Sequence, residues 1–230
     1  MDPLKKPSFN ELIWDNKEFI IPFFVVSVLS SFVIYAMGNH GLFLFVNKYY
    51  SDSADIFFLF ITNFGDAIIA ILLVILLLWI SVRESLTFLM ITLLLAIIIT
   101  WLKNSVFPEL DRPAEVFKSS EILRLVEGYD PPGLCTFPSG HAATVFSIGL
   151  YLSILIKNRY TKFILFLTAC IVGYSRVYLS AHFPADILAG AVIAVPITIY
   201  CYILGRRIEN SWIDWKITFR RKIPEKGQAI

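Results

Sequence analysis

A chain of 230 residues that is 57% hydrophobic is too apolar for an ordinary soluble domain, whose apolar share is roughly 45–50%. Its formal net charge of +2 carries no footprint for nucleic acid, and its mean hydropathy is positive. These values exclude a soluble enzyme and point to an integral membrane protein.

Crossing a hydrocarbon core of about 30 Å takes roughly 20 helical residues. Apolar stretches near 19–37, 64–82, 85–103, 140–156, 162–179 and 184–205 meet or approach that length. They predict an all-α, polytopic membrane bundle of six transmembrane helices, with residues 1–230 forming a single domain. Residues 1–18 form a leader carrying Lys5, Lys6 and Lys17. A cleaved signal peptide competes here, because Ala36-Met37-Gly38 is a small-x-small site. The apolar run nevertheless exceeds an h-region of about 7–15 residues, and Asp15 and Glu18 dilute the basic leader. An uncleaved anchor is expected.

Residues 38–63 form the first outer segment, where Asp52 and Asp55 lie near Tyr49-Tyr50 and an apolar stretch begins at Ile56. That pattern fits an interfacial helix returning toward the membrane, and its aromatic content suits the headgroup zone. His40 reads as an interfacial loop residue without chemistry. The second outer segment, 104–137, is a long hydrophilic insertion that carries part of the site, as a lid, a headgroup-recognition element or a plain connector. Within it Ser120 is placed to cap a short helix whose Ile122, Leu123, Leu125 and Val126 share a face, with Gly128 as a stop signal and Pro131-Pro132-Gly133 as a turn.

Orientation follows from the cations, which are retained on the cytoplasmic side of short loops. Lys5, Lys6 and Lys17, Arg83, the group Lys157, Arg159 and Lys162, and the basic tail of residues 206–230 all share one side. Both termini are therefore expected to be cytoplasmic. The other side holds only Lys48, Lys103, Arg112, Lys118, Arg124 and Arg176. Three cysteines give no disulfide framework, and no metal-type Cys/His spacing, Walker loop or repeat is present.

Three polar clusters at the ends of apolar segments converge on that outer side. Charged groups there are costly unless they face a cavity or pair with one another, so a functional site is the default expectation. The first cluster is Lys103 with Arg112-Pro113. Each residue alone is unremarkable, a snorkelling anchor and a loop arginine, yet a mobile point charge and a planar fork together match phosphate oxygens. In the second, Pro138-Ser139-Gly140-His141, Ser139 is a plausible N-cap, Gly140 permits close backbone approach, and the free amides of a helix N-terminus bind anions. An ordinary helix start explains all of it except His141.

In the third cluster, Ser175-Arg176 precedes His182-Phe183-Pro184-Ala185-Asp186. Pro184 suits a first helical turn, so Asp186 points back toward His182. A carboxylate on one imidazole nitrogen leaves the other as a basic lone pair, which makes His182 a nucleophile and Asp186 its orienter.

These clusters resemble the three signature motifs of the type 2 phosphatidate phosphatase superfamily. That family includes bacterial lipid A phosphatases and shares its active-site pattern with vanadium haloperoxidases. Pro-Ser-Gly-His matches at 138–141, and Ser-Arg, five residues, His, three residues, Asp matches at 175–186. The first motif departs, because eight residues rather than six separate Lys103 from Arg112.

The resemblance implies a metal-independent lipid phosphatase that needs no cofactor. It places a phosphate cradle at Lys103, Arg112, Ser139, Gly140 and Arg176, a phosphohistidine at His182 oriented by Asp186, and an acid and base at His141. The expected partners are a phosphorylated membrane lipid and the bilayer, with the site facing the periplasm of a bacterial inner membrane. Lipid A phosphate, undecaprenyl pyrophosphate, phosphatidylglycerophosphate and phosphatidate stay open as substrates, with a weak tilt toward lipid A or another bulky lipid. A non-catalytic lipid-phosphate binder is the rival from another class, and a vanadate-dependent enzyme is a second.

Overall fold

Ser8 opens the first helix with a capping box, its hydroxyl accepting from the Glu11 amide while the Glu11 carboxylate accepts from the Ser8 amide. The computed structural model describes residues 6–118, 122–131 and 135–208, and among them it contains helices and no strand. Helices α1 (Phe9–Asp15), α2 (Lys17–Met37), α3 (Asn39–Asn47) and α4 (Asp52–Ile61) lead through a 3-10 turn at Thr62–Gly65 into α5 (Ala67–Leu78). Helix α6 (Val82–Trp101) ends in a π-helical turn at Leu102–Val106. It is followed by α7 (Pro113–Val116), α8 (Gly140–Leu155), α9 (Arg159–Tyr178) and α10 (Pro184–Arg207).

Each expected span contains a helix, but the helices are not equal. Lys17–Met37, Val82–Val106 and Pro184–Arg207 are long and apolar enough to cross a membrane. A fourth crossing arises if Asp52–Gly65 and Ala67–Leu78, bent by 52°, act as one broken span. The apolar stretch near 64–82 thus becomes a helix of 12 residues continuing from α4, instead of a straight span after an outer segment. Helix α8 is shorter, at 16 residues.

Helices α6, α8, α9 and α10 enclose the core, where buried Ala142, Ala143, Ala169, Ala191 and Ala194 let backbones approach around Phe88, Tyr151 and Tyr202. Helix α2 lies outside them. It buries only Phe19, while Phe24, Phe32 and Tyr35 point outward, as suits a helix solvated by lipid.

The two ends of the bundle carry different polar chemistry. At one end Lys162, expected as a free loop cation, is buried and donates to the Asp15 carbonyl and, at 2.9 Å, to Asn16 Oδ1. Nearby Glu84 pairs with Arg206 and accepts from Tyr151 Oη at 2.8 Å. Arg206 and Arg207 belong to α10, so the expected tail of 206–230 starts inside a helix. Residues 209–230 lie outside the described residues.

At the other end the expected helix over 122–126 does not form; residues 123–126 are irregular. Its backbone is satisfied elsewhere, since Asn47 accepts from the Arg124 amide at 3.0 Å and donates to the Arg124 carbonyl at 3.1 Å. The Arg124 guanidinium forks onto Asp55, and Val126 packs with Tyr178 and Leu179. Ser120 and the Pro132-Gly133 turn lie outside the described residues.

Helix α10 crosses the start of α8 at Gly190. A Cβ there would overlap the Ser139 carbonyl oxygen and stand 3.2 Å from both Ala142 Cβ and the Ala143 amide nitrogen. Overpacking of this kind costs about 1–3 kcal/mol, so Gly190→Ala is expected to lower the thermal unfolding midpoint of the detergent-solubilised protein. At Gly41 an added Cβ meets nothing within 4 Å. Equal midpoints for Gly41→Ala and Gly190→Ala would show that the seam has room to spare.

Candidate active site

The third sequence cluster folds as a tight turn between α9 and α10. The Arg176 carbonyl accepts from the amides of Ala181, at 2.9 Å, and His182, at 3.1 Å, which closes residues 179–183 into a loop. Pro184 begins α10, and Asp186 in the first turn reaches back, its Oδ2 accepting from the Phe183 amide at 2.8 Å. His182 Nδ1 lies 3.3 Å from the same oxygen, and both side chains are almost fully buried. With Nδ1 assigned as the donor, Nε2 carries the lone pair.

Sequence reasoning missed Thr136. Its hydroxyl donates to Asp186 Oδ2 and stands 3.2 Å from His182 Nδ1, so it locks the pair from the outer loop. Thr136 is itself held by its amide, which donates to the Leu110 carbonyl at 2.8 Å. No spacing rule marks it, because the bond closes across 46 residues.

The second cluster meets the third through backbone. Ser139 is the N-cap of α8, its Oγ accepting from the Ala142 amide at 3.3 Å, while its own amide donates to the Asp186 carbonyl at 3.0 Å. Gly140 opens the helix, and a Cβ there would meet nothing nearer than Ile99 Cγ2 at 3.9 Å.

The three cations arrive from separate elements. Lys103, on the π-helical turn, donates to the Cys135 carbonyl at 3.1 Å. Cys135 precedes Thr136, so Lys103 lies near the His182–Asp186 pair despite the two extra residues of the first motif. Arg112, the residue before α7, donates to the Ala181 carbonyl at 3.2 Å, one residue from His182. Arg176 donates from Nη1 to Thr62 Oγ1 at 2.7 Å and has its guanidinium 5.7 Å from the Tyr129 ring. Its Nε is the one buried side-chain nitrogen or oxygen among the described residues that lacks a hydrogen-bond partner. Such an atom is an acceptor's place in waiting.

Burial drives the His182 pKa well below 6.5, and the charges of Arg112, Lys103 and Arg176 push it the same way. Burial and Arg176 likewise act against the charge of Arg112.

His141, the second residue of α8, does not face these groups alone. Its Nε2 lies 2.7 Å from Asp66 Oδ1, an acid that sequence reasoning passed over although it sits at the mouth of an apolar stretch, where an acid is costly. His40 belongs to α3 instead of a loop and packs on the Phe183 ring at 4.7 Å. Among the described residues no three His, Cys, Asp or Glu gather into a metal-holding group. The assembly gathers two imidazoles, each beside a carboxylate, with three cations and a helix N-terminus on one end of the bundle.

The chain is similar to known proteins. The chain is 40% identical over 57 residues to a lipid A 4'-phosphatase of Bacteroides thetaiotaomicron, a stretch covering 25% of this chain and 25% of that relative. Over 160 residues it is 26% identical to undecaprenyl-diphosphatase BcrC of Bacillus subtilis, covering 68% of this chain and 75% of the relative. The crystal structure of Aquifex aeolicus LpxE superposes with a TM-score of 0.62 at 29% identity, covering 74% of this chain and 95% of that one. Residues 84–209, more than half of the chain and both fully matching motifs among them, fit the PAP2 superfamily model, and the chain belongs to that superfamily.

Proposed function

We propose that this protein is a metal-independent phosphatase of a membrane lipid, working through a phosphohistidine at His182. The observation that carries the reading is the buried His182, oriented through Nδ1 by Asp186 and Thr136 and close to the charges of Arg112, Lys103 and Arg176. Non-catalytic binding needs the cations but not a nucleophile held in one tautomer.

In the first step His182 Nε2 attacks phosphorus, forming a P–N bond as the P–O bond to the lipid breaks, and His141 supplies a proton to the departing oxygen. In the second, water adds to phosphorus, the P–N bond breaks, and the water proton passes to His141. Three cations and the single carboxylate Asp186 leave a formal excess of two positive charges, close to the roughly −1.5 to −2 of a phosphomonoester. The unpartnered Arg176 Nε, the Ser139 hydroxyl and the amides opening α8 complete the cradle.

The relatives act, by their names, on the 4'-phosphate of lipid A and on undecaprenyl diphosphate. The substrate class assigned to this chain is accordingly a lipid phosphomonoester or pyrophosphate, with lipid A the first to test. Six crossings with both termini in the cytoplasm and the site facing the periplasm of a bacterial inner membrane fit the cation distribution.

Phosphate release by the purified protein, with EDTA present, is expected from at least one of lipid A, undecaprenyl pyrophosphate, phosphatidylglycerophosphate and phosphatidate. His182→Ala is expected to lower it by at least about 1,000-fold. Undiminished release in the mutant would remove the nucleophile, and no release from any lipid would favour binding over catalysis.

A second outcome concerns protonation. In an imidazole 15N titration, the His182 signal, identified by its loss in His182→Ala, should titrate well below the range of a free imidazole; a midpoint near about 6.5 would mean a solvated histidine. For topology, a reporter fused after Ile230 should lie in the cytoplasm, and a periplasmic signal would overturn the threading.

A further inference from the structure

The acid facing His141 has no part in the cradle or the nucleophile pair, yet three features single it out. Asp66 is the N-cap of α5 with extended backbone, φ −74° and ψ 150°, and its side chain makes no capping hydrogen bond. An aspartate so placed ordinarily accepts from the amides of its own helix. This one instead turns to His141 Nε2 at 2.7 Å. A residue that forgoes its local partner for a distant one marks a site where function overrides local preference.

The backbone is shaped for the same contact. A Cβ at Gly65 would stand 3.0 Å from His141 Cβ and 3.2 Å from the His141 carbonyl oxygen, so the turn before α5 presses against the start of α8. It is also here that the α4–α5 pair bends by 52°. The Asp66–His141 pair lines a cavity of about 330 Å³, whose walls include Leu95 and Ile99 and the hydroxyl residues Thr92 and Thr144. Broken helices at membrane depth are tolerated where they line a cavity, and this break does so with a carboxylate.

We infer that Asp66 is a positioning residue for His141, holding Nε2–H so that Nδ1 is the nitrogen presented to the reacting oxygen. The inference rests on the phosphatase reading above and deepens it: the site would hold two carboxylate–imidazole pairs, Asp186–His182 for attack and Asp66–His141 for proton transfer. When His141 is protonated, Nε2–H donates to Asp66 and Nδ1–H passes its proton to the lipid oxygen as the P–O bond breaks. Neutral His141 then takes a proton from water on Nδ1 as oxygen bonds to phosphorus and the P–N bond to His182 breaks. Asp66 keeps its charge throughout, offsetting that of the imidazolium, so the excess positive charge of the cradle remains for phosphate.

The leaving group separates this role from a structural one. An alkyl phosphate needs its oxygen protonated, whereas p-nitrophenolate departs without help. Asp66→Asn is expected to lower kcat/KM, which reports only the steps through departure of the leaving group, about 10- to 100-fold on the lipid monophosphate that wild type cleaves fastest, and less than about threefold on p-nitrophenyl phosphate. Gly65→Ala should show the same asymmetry more weakly. Equal losses on both esters, or none, would overturn the inference while leaving the phosphatase standing. Absence of lipid phosphate hydrolysis by wild type would instead remove the reading beneath it. The imidazole 15N spectrum needs no turnover: His141 should carry its proton on Nε2 in wild type and become a mixture of tautomers in Asp66→Asn, and an unchanged His141 signal would overturn the pairing.

Discussion

The end of the bundle that holds His182 depends on the backbone of α10 lying directly against the first turn of α8. The Ser139 amide donates to the Asp186 carbonyl, and Gly190 packs where any side chain would overlap the Ser139 carbonyl. One hydrogen bond and one missing methyl thus set the distance between the cradle motif and the nucleophile motif. Because both partners are main chain, the relation does not loosen when side chains change rotamer. Placement of this kind is what phosphoryl transfer asks of a protein, since positioning and electrostatics supply most of its catalysis.

Around that seam, charge is held at a cost. Unit charges 4 Å apart interact by about 4 kcal/mol at an effective dielectric of about 20, so gathering Lys103, Arg112 and Arg176 beside one buried imidazole opposes folding. The cations are solvated in part by neutral oxygens, the carbonyls of Cys135 and Ala181 and the hydroxyl of Thr62. Burial first, and the same repulsion after it, lower the pKa of His182. A cost that would be wasteful in a structural core is what an anion site with a nucleophile, as proposed above, would require.

Much of this was legible in the chain. The spacing from Ser175 to Asp186 encodes a turn and one helical turn, so the geometry of His182 and Asp186 follows from local rules. The N-cap at Ser139 is local as well. What the sequence hid depends on long-range closure: Thr136 reaches His182 across 46 residues, and Thr62 reaches Arg176 across 114. The expected helix after Ser120 failed for the same reason, because Asn47 satisfies the Arg124 backbone that a helix would have satisfied internally. Asp66 is a different case. It was visible by the rule that drew attention to the other clusters, an acid at the mouth of an apolar segment, and its partner alone was hidden.

That rule itself needs refinement, as the opposite end of the bundle shows. Arg206 and Lys162 are as buried as Arg176, yet they serve structure. Arg206 meets the opposite charge of Glu84, which also holds Tyr151, and Lys162 ties α9 to the α1–α2 junction through Asp15 and Asn16. Lys103 and Arg176, like Lys162, donate to neutral oxygens, but Arg176 also keeps one buried N–H without a partner. Cost alone therefore does not separate site from scaffold in an apolar chain, and neither does solvation by dipoles. A buried cation paired with a carboxylate, as Arg206 is, has spent its field on the fold, whereas cations gathered around one imidazole, with an N–H to spare among them, retain theirs for an anion. The end that holds Lys103, Arg112 and Arg176 meets that description, and Asp66 stands apart from Glu84 because the charge it offsets appears only when His141 carries a proton.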